Sequence, residues 1–281
     1  MRAEIAVAYS GGTDSTCAAA VVCERFDAVH LLTYHRLGLF SSVNSRKNAE
    51  KLQNKFGNDK VTHRIIKLSR LYDYASDERY FHYISKYGFC NLSGCGICKL
   101  AIHIRTLIWC LENNIKNACD GSTRDLYLFP TQIEKINNEV KKMYAHFDLS
   151  YETPVYNFDL PDTVDLWDKM GISEKLRIQT TKEPKKQEKK NTTGRRLYEL
   201  GLMPAENVKG TALDQHMQSR CFQFILFNIY LLWAYFPWHT YEEFEKKLVS
   251  LYREKIEHFV TLIEEYIKKK EKSRLYGLIE Y

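Results

Sequence analysis

Residues 10–15 read S-G-G-T-D-S and directly follow a short apolar run that ends at Tyr9. Glycines and hydroxyl side chains between a strand and a helix leave several backbone N–H groups directed at one point, and such a cluster binds anions. Gly11 and Gly12 let an oxygen approach the backbone because they have no Cβ. Ser10 and Ser15 add hydroxyl donors. The stretch therefore predicts a phosphate-binding loop.

A carboxylate, Asp14, lies inside this loop. A carboxylate repels phosphates unless a cation lies between them, so Asp14 implies bound Mg²⁺. The alternative is an ordinary helix N-cap, in which Asp14 or Ser10 caps the helix and the glycines form the turn. The loop is not of the Walker A type, because no lysine follows the glycines.

Three of the eight cysteines form a second group with the spacing C-x4-C-x2-C, namely Cys90, Cys95 and Cys98. Converging thiolates suit a soft metal or an iron–sulfur cluster. A 4Fe-4S cluster held by three cysteines leaves one iron open, whereas a closed Zn²⁺ site requires a fourth protein ligand. Cys221 is a candidate for that ligand or for a resolving thiol. Three unrelated thiols in a flexible loop are the alternative.

The elements that must position these residues follow a β-α-β-α-β order. We predict strands over residues 3–9, 28–34, 61–68, 116–121 and 151–158. The predicted helices cover residues 15–26, 45–56, 71–87, 97–114, 131–146 and 162–170. Apolar strands bounded by glycine are typical of a parallel sheet with both faces covered. The predicted fold class is α/β, a parallel five-stranded sheet flanked by helices.

Beyond residue 175 the alternation ends, and the chain becomes helical and aromatic. We predict a nucleotide-binding domain over residues 1–175, which includes the cysteine loop at 90–98, and a basic linker with a helical C-terminal region over 176–281. Residues 182–196 lack apolar side chains and are interpreted as a mobile loop, with contact to a phosphate backbone as the alternative. Helices are predicted at 211–235 and 241–272. The apolar run at 222–238 is too short to span a bilayer and predicts a buried helix.

Composition is typical of a globular protein with a full core, since 44% of the 281 residues are hydrophobic. A formal charge of +6 suits a polyanionic partner such as RNA without requiring one. The N-terminus does not resemble a secretory signal, and the cysteine spacing does not resemble a disulfide framework. We therefore expect a cytoplasmic protein without a membrane partner.

The S-G-G-x-D-S string after a first strand resembles the pyrophosphate-binding loop of the PP-loop ATPases, or N-type ATP pyrophosphatases, of the adenine nucleotide alpha-hydrolase-like superfamily. The match covers, without a gap, Ser10, Gly11, Gly12, Asp14 and Ser15. The resemblance implies a HUP-type sheet, with the β- and γ-phosphates of ATP in this loop. It also implies that the substrate is adenylated and that pyrophosphate leaves. Thr33, near the end of the second strand, would then lie near the adenine.

The segment C-x2-C-K, followed by a helix and a short strand, resembles the layout of PP-loop sulfur transferases, which include tRNA thiolation enzymes. In several of these, three cysteines hold a 4Fe-4S cluster whose free iron binds the incoming sulfide. The resemblance implies this role for Cys90, Cys95 and Cys98. Lys99 would contact a phosphate or the adenylated intermediate, with an ordinary surface lysine as the alternative.

Residues 119–125 resemble the turn that those families write as G-H-x-x-D-D or D-G-T-N-x-D-D. Gly121 and Asp125 align, but Leu126 replaces the second aspartate and no histidine follows Gly121. An ordinary turn at Asp120-Gly121 is the alternative. The catalytic candidates are therefore Asp14, Lys99 and Asp125.

Together these features predict an ATP-dependent sulfur transferase that uses ATP, Mg²⁺ and a 4Fe-4S cluster, with Zn²⁺ as the alternative metal. Its acceptor would be tRNA or a small carbonyl or carboxylate compound, and it would need a sulfur donor. Whether it forms a homodimer stays open. One rival is an amide- or nitrile-forming PP-loop ligase with structural zinc, and another is a nucleotide- or RNA-binding module without turnover.

Overall fold

The computed structural model describes residues 2–88, 90, 94–124, 130, 133–159, 191–208, 211, 213, 216–217, 220–221 and 229–280. Within these ranges, the side chains of residues 40, 94, 95, 220, 221 and 232 are not described. The predicted helix at 162–170, the predicted boundary near residue 175 and the candidate Asp125 lie outside the described residues, and they stay predictions.

Seven strands are described: β1 (Glu4–Ala8), β2 (Ala28–His35), β3 (Leu39–Phe40), β4 (Val61–Lys67), β5 (Asn117–Asp120), β6 (Ser150–Glu152) and β7 (Arg220–Cys221). Five of them form one parallel sheet in the order β4-β2-β1-β5-β6. The short β3 and β7 pair antiparallel beside it. The predicted parallel five-stranded α/β fold is confirmed.

Eight α-helices are described: α1 (Thr13–Cys23), α2 (Ser45–Phe56), α3 (Ser69–Asp77), α4 (Tyr80–Tyr87), α5 (Gly94–Glu112), α6 (Glu134–His146), α7 (Thr193–Glu199) and α8 (Tyr241–Lys269). Alternate side chains of β1 enter different hydrophobic clusters. Ile5 and Val7 pack with α1, α2 and α7, whereas Ala6 packs with α3, α5, α6 and α8. Helices therefore cover both faces of the sheet, as the apolar strand sequences require.

The strand order reverses at β1. After β2 and β4 have been added on one side of β1, the chain crosses to β5 on the other side. The carboxyl ends of β1 and β5 therefore form a topological switch point, the place where open α/β sheets bind ligands. Both the predicted phosphate loop and the turn at Gly121 begin there.

Helix α8 matches the predicted C-terminal helix and begins with a capping box between Thr240 and Glu243. Its apolar side chains, among them Phe244, Leu251 and Phe259, belong to the cluster that also covers one face of the sheet. Helix α8 is thus packed on the sheet through α3 to α6. Within the described ranges, no helix combines the length and hydropathy that a bilayer crossing requires.

Two predicted elements are shorter than expected. The helix predicted at 71–87 is two helices, because the chain turns at Glu78 and at Arg79, where φ is +55°. The strand predicted at 151–158 ends at Glu152 and continues as a turn. The spacing of apolar residues does not reveal where these two elements end, because apolar residues continue at the same spacing past both ends.

The helix predicted at 211–235 is wrong at residues 220–221, which form β7 opposite β3. A π-helical segment, Leu231–Tyr235, follows later. Trp233 and Trp238 are 67% and 82% exposed, whereas Leu231 and Tyr235 are buried, so the described end of the apolar run is buried on one side only. In the same way, the basic segment predicted as a loop at 182–196 ends in helix α7, which packs on α1. Thr193 and Gly194 are buried, and Gly194 lies against Glu206.

Lys255 of α8 is buried, and its ammonium donates to the Ala75 carbonyl at 2.7 Å and lies 4.0 Å above the Tyr83 ring. Burial lowers the pKa of Lys255 from 10.5 to about 8, although Glu254 opposes the shift. Between these values the unfolded chain binds the proton more tightly than the folded chain, so this lysine makes stability rise with pH.

We therefore expect the wild type to gain roughly 1–2 kcal/mol of unfolding free energy relative to Lys255→Met between about pH 7.5 and pH 10. Urea unfolding of both proteins at the two pH values measures this difference. An identical pH dependence in the two proteins would contradict the shifted pKa.

Candidate functional site

The loop between β1 and α1 is held by its own hydroxyl groups. Ser10 Oγ lies 3.0 Å from Ser15 Oγ and accepts from the Gly12 amide at 3.3 Å. Ser15 Oγ donates to the Gly12 carbonyl at 3.1 Å. Gly12 is the N-cap of α1 and, as a glycine, supplies no side-chain cap. The start of α1 has the polarity that suits an anion, and both phosphate binding and the alternative of an ordinary N-cap stay predictions.

Gly11 has a positive φ of +84°, and a Cβ there would lie 2.5 Å from Ser45 Cα and 2.7 Å from the Met217 carbonyl oxygen. Its own carbonyl accepts from Asn48 Nδ2 at 2.8 Å. The absence of a side chain is thus required by the close approach of protein atoms. Approach of a phosphate to Gly11 and Gly12 stays a prediction.

Thr33 is buried beneath the loop. Its hydroxyl donates to the Tyr9 carbonyl at 2.9 Å and lies 2.8 Å from His63 Nε2. Burial, together with the charge of Arg46, lowers the pKa of His63 to about 4, so the imidazole is neutral at pH 7. In this structure Thr33 links β2 to the loop, and its contact with adenine stays a prediction.

Asp14 contacts a residue far away in the sequence. Its Oδ1 accepts from the Thr193 hydroxyl at 2.6 Å, and Arg196 pairs with Glu24 at 2.7 Å along the same pair of helices. These contacts place the start of α7 beside the predicted phosphate loop. If Asp14 binds Mg²⁺ as predicted, the carboxylate that accepts from Thr193 must also coordinate the metal.

The carboxyl end of β5 lies directly against the start of α1. Asp120 is paired with Ala8 in the sheet, and Gly121 follows it. A Cβ on Gly121 would lie 2.5 Å from both the Cα and the backbone N of Ser15. Gly121, which we predicted as part of the nucleotide site, is therefore in contact with the loop.

Asp120 is fully buried and accepts from the Ser122 amide at 2.9 Å and the Ser122 hydroxyl at 3.0 Å. It forms an ion pair with Lys99, and His103 Nε2 lies 3.5 Å from its Oδ2. Burial alone would raise its pKa, but Lys99, His103 and the hydrogen bonds outweigh that effect and lower the pKa of Asp120 to about 2. Asp120 is thus a buried anion that is paired with Lys99, which an ordinary turn at Asp120-Gly121 does not require.

Lys99 is therefore brought to the predicted site, with its side chain 23% exposed. His103 joins it one helical turn later, and our sequence reasoning did not identify it. Burial and the charge of Lys99 lower the pKa of His103 to about 3, so the imidazole is neutral. The spacing of four residues between Lys99 and His103, which puts both on one face of α5, was the available signal.

The cysteines are described in part. Cys90 and Cys98 are buried at 2% and 7% exposure, and the side chain of Cys95 is not described. Burial raises the pKa of the Cys90 thiol to about 11, against the effect of Lys247. Among the described residues, no three His, Cys, Asp or Glu side chains are placed to hold a metal. The three-cysteine metal site stays a prediction.

Cys98 has a cationic neighbour. Its Sγ accepts from Arg36 Nε at 3.1 Å, and the Arg36 guanidinium lies 3.9 Å above the Tyr72 ring. Arg36 directly follows β2 and is 1% exposed. A cation beside a sulfur stabilises negative charge on it, and cysteine binds iron or zinc as the thiolate. This neighbour is compatible with a thiolate-held metal group at Cys98, which stays a prediction.

The first turns of α5 thus reach both neighbours of β1. Cys98 contacts Arg36 at the end of β2, and Lys99 pairs with Asp120 at the end of β5. Because β1 lies between β2 and β5, the candidate sulfur ligand and the candidate catalytic lysine both lie at the edge from which the phosphate loop emerges. The backbone of Cys221 pairs with Leu39, just after Arg36, so Cys221 also lies near this edge.

No protein-family model matches the chain, and no curated protein matches it. Among solved structures, the chain is similar to a predicted subunit of a tRNA methyltransferase from Methanocaldococcus jannaschii. The identity is 21% and the TM-score is 0.37, over 56% of this chain and 70% of that chain. So distant a likeness carries no argument about function.

Substitution of Gly121 tests the contact between β5 and α1. Gly121→Ala places a methyl group against the backbone of Ser15 and should destabilise the protein by about 1–3 kcal/mol, as overpacking does. Gly277→Ala is the matched control, since a Cβ there meets nothing within 4 Å. Urea unfolding measures both, and equal stability of the two variants would contradict the described contact.

Proposed function

We propose that the chain is an ATP-dependent enzyme that releases pyrophosphate, adenylates an oxygen of its substrate and replaces that oxygen with sulfur. The observation that supports this most is the position of α5. It brings Lys99 and Cys98 to the two strand ends that flank the S-G-G-T-D-S loop. Phosphate binding, activation and sulfur supply would then take place at one edge of the sheet.

In this proposal the β- and γ-phosphates bind at the start of α1, where Ser10, Gly11, Gly12 and Ser15 form the loop. The loop is already held in shape by Ser10, Ser15 and Thr33, so little ordering is required when the nucleotide binds. Asp14 would hold Mg²⁺ between the phosphates. Lys99 would contact the α-phosphate, whose negative charge grows during transfer.

The proposed reaction has two displacements. A carbonyl oxygen of the substrate forms a bond to the α-phosphorus, the bond from that phosphorus to the bridging oxygen breaks, and pyrophosphate leaves. A sulfur nucleophile then forms a bond to the activated carbon, and the carbon–oxygen bond breaks as AMP leaves with the oxygen. A 4Fe-4S cluster at Cys90, Cys95 and Cys98 would supply the sulfide when bound. Lys99 would stabilise the negative charge of the α-phosphate, and Arg36 would stabilise the negative charge of the Cys98 sulfur.

The acceptor is proposed as a compound with a carbonyl or carboxylate oxygen, and tRNA is the macromolecular candidate. The net charge of +6 supports a polyanionic acceptor. A transfer of nitrogen instead of sulfur uses the same first displacement. In sulfur transfer the cysteines would hold a 4Fe-4S cluster, whereas in nitrogen transfer they would hold a structural zinc ion.

The role of Asp14 can be separated from its contact with α7. Asp14→Ala should lower pyrophosphate release, measured with bulk tRNA and a sulfide donor, by at least about 100-fold, since a bound metal contributes several kcal/mol. Thr193→Val is the matched control, because it removes the same hydrogen bond and keeps the carboxylate. Equal losses in both variants would show that Asp14 acts only through Thr193, which is contrary to the proposal.

Purification without oxygen tests the sulfur-transfer version. We expect a brown protein that contains iron and sulfide and bleaches in air, and loss of the colour in Cys98→Ala. Cys110→Ala is the control, since that thiol is also buried on α5 and lies outside the predicted metal group. A colourless protein with bound zinc would contradict sulfur transfer from a cluster and favour the amide- or nitrile-forming ligase.

A further inference from the structure

Lys99 has one charged partner among the described residues, Asp120. An ammonium group carries three N–H donors, so this contact leaves donors for a further acceptor. The side chain is 23% exposed, whereas Asp120 is fully buried. The lysine therefore lies between a buried anion and the surface at the carboxyl edge of the sheet.

The Asp120 carboxylate is held in place by its other contacts. Its two oxygens are engaged by the Ser122 amide and hydroxyl, at 2.9 Å and 3.0 Å, as well as by Lys99. A buried carboxylate without a compensating cation is strongly destabilising. Lys99 is thereby held at one place by charge as well as by geometry.

His103 completes this arrangement from the same helix. Its Nε2 lies 3.5 Å from Asp120 Oδ2, and its ring packs edge-on against Tyr151 at 5.1 Å and Tyr144 at 6.0 Å. A neutral imidazole at this distance does not act as a second cation beside the carboxylate. The charge of Asp120 is therefore balanced by Lys99.

The location of the pair relates it to the phosphate loop. Asp120 lies opposite Ala8 in the sheet, and Gly121 touches the backbone of Ser15. The anchor of Lys99 is therefore immediately beside the start of α1. A nucleotide that binds at the start of α1 would therefore have a phosphate near the Lys99 ammonium.

We propose that Asp120 and His103 are positioning residues, which hold the Lys99 ammonium for an α-phosphate. This inference rests on the proposed function. Its rival is a purely structural ion pair that ties α5 to β5. The two accounts differ in whether the effect of His103 on nucleotide binding requires Lys99.

The experiment is calorimetric titration of the full chain with Mg²⁺ and α,β-methylene-ATP, an analogue that cannot be cleaved at the α-phosphate. The variants are Lys99→Met, His103→Gln and the double substitution. We expect Lys99→Met to weaken binding about tenfold, the size of a lost charge-assisted hydrogen bond. His103→Gln should weaken it about threefold in the wild-type background, and should have no further effect when Lys99 is already replaced.

Two further variants test whether weaker binding is caused by loss of folding. Lys99→Met with Asp120→Asn removes both charges and should bind no more weakly than Lys99→Met alone. Thr106→Val is the matched control, since Thr106 lies on α5 like Lys99 and His103, and the change removes its buried hydrogen bond with Tyr34 of β2 (2.7 Å). It should lower the unfolding temperature without changing affinity.

The inference is overturned if His103→Gln weakens binding by the same factor in both backgrounds, or leaves binding unchanged. If Asp14→Ala abolishes binding while Lys99→Met does not, the positioning role alone fails. If the wild-type protein does not bind the analogue, the proposed function fails and this inference fails with it.

Discussion

The buried ion pair between Asp120 and Lys99 constrains the whole carboxyl edge of the sheet. Asp120 is fully buried, and a carboxylate in that position needs a cation beside it. The cation comes from the first turns of α5, so the pair fixes where that helix begins relative to β5. Cys98, the residue before Lys99, is then beside Arg36 at the end of β2. One electrostatic requirement thus brings the cysteine segment to the ends of the strands that flank β1.

The S-G-G-T-D-S loop is shaped by a second constraint, the close packing of backbone on backbone. Gly11 lies against Ser45 and Met217, and Gly121 lies against Ser15. Together with the bond from Thr33 to the Tyr9 carbonyl, these contacts fix the loop through protein atoms alone. A loop preorganised in this way can bind phosphates without a large ordering cost. Thr193 and Met217 also reach this region, so residues late in the chain contribute to the loop's surroundings.

The sheet could be predicted from the sequence because each of its strands is a short apolar run with glycine or polar residues at its ends. The place of the S-G-G-T-D-S loop between β1 and α1 was predicted for the same reason, and its binding of phosphate stays a prediction. The spacing of four residues from Lys99 was the one signal for His103. The contact of His103 with Asp120 and the anionic role of Asp120 could not be predicted, because they depend on burial and on partners distant in the sequence. The β3–β7 pairing and the break at Arg79 were missed for similar reasons, as tertiary contacts override local helical spacing there.

A crystal structure with Mg²⁺ and α,β-methylene-ATP tests the central claim most directly. The account predicts the β- and γ-phosphates at the backbone amides of residues 10–15, the metal at Asp14 and the α-phosphate within hydrogen-bond distance of Lys99. Phosphates bound elsewhere on the molecule, with the start of α1 and the Lys99 ammonium left to solvent, would contradict it.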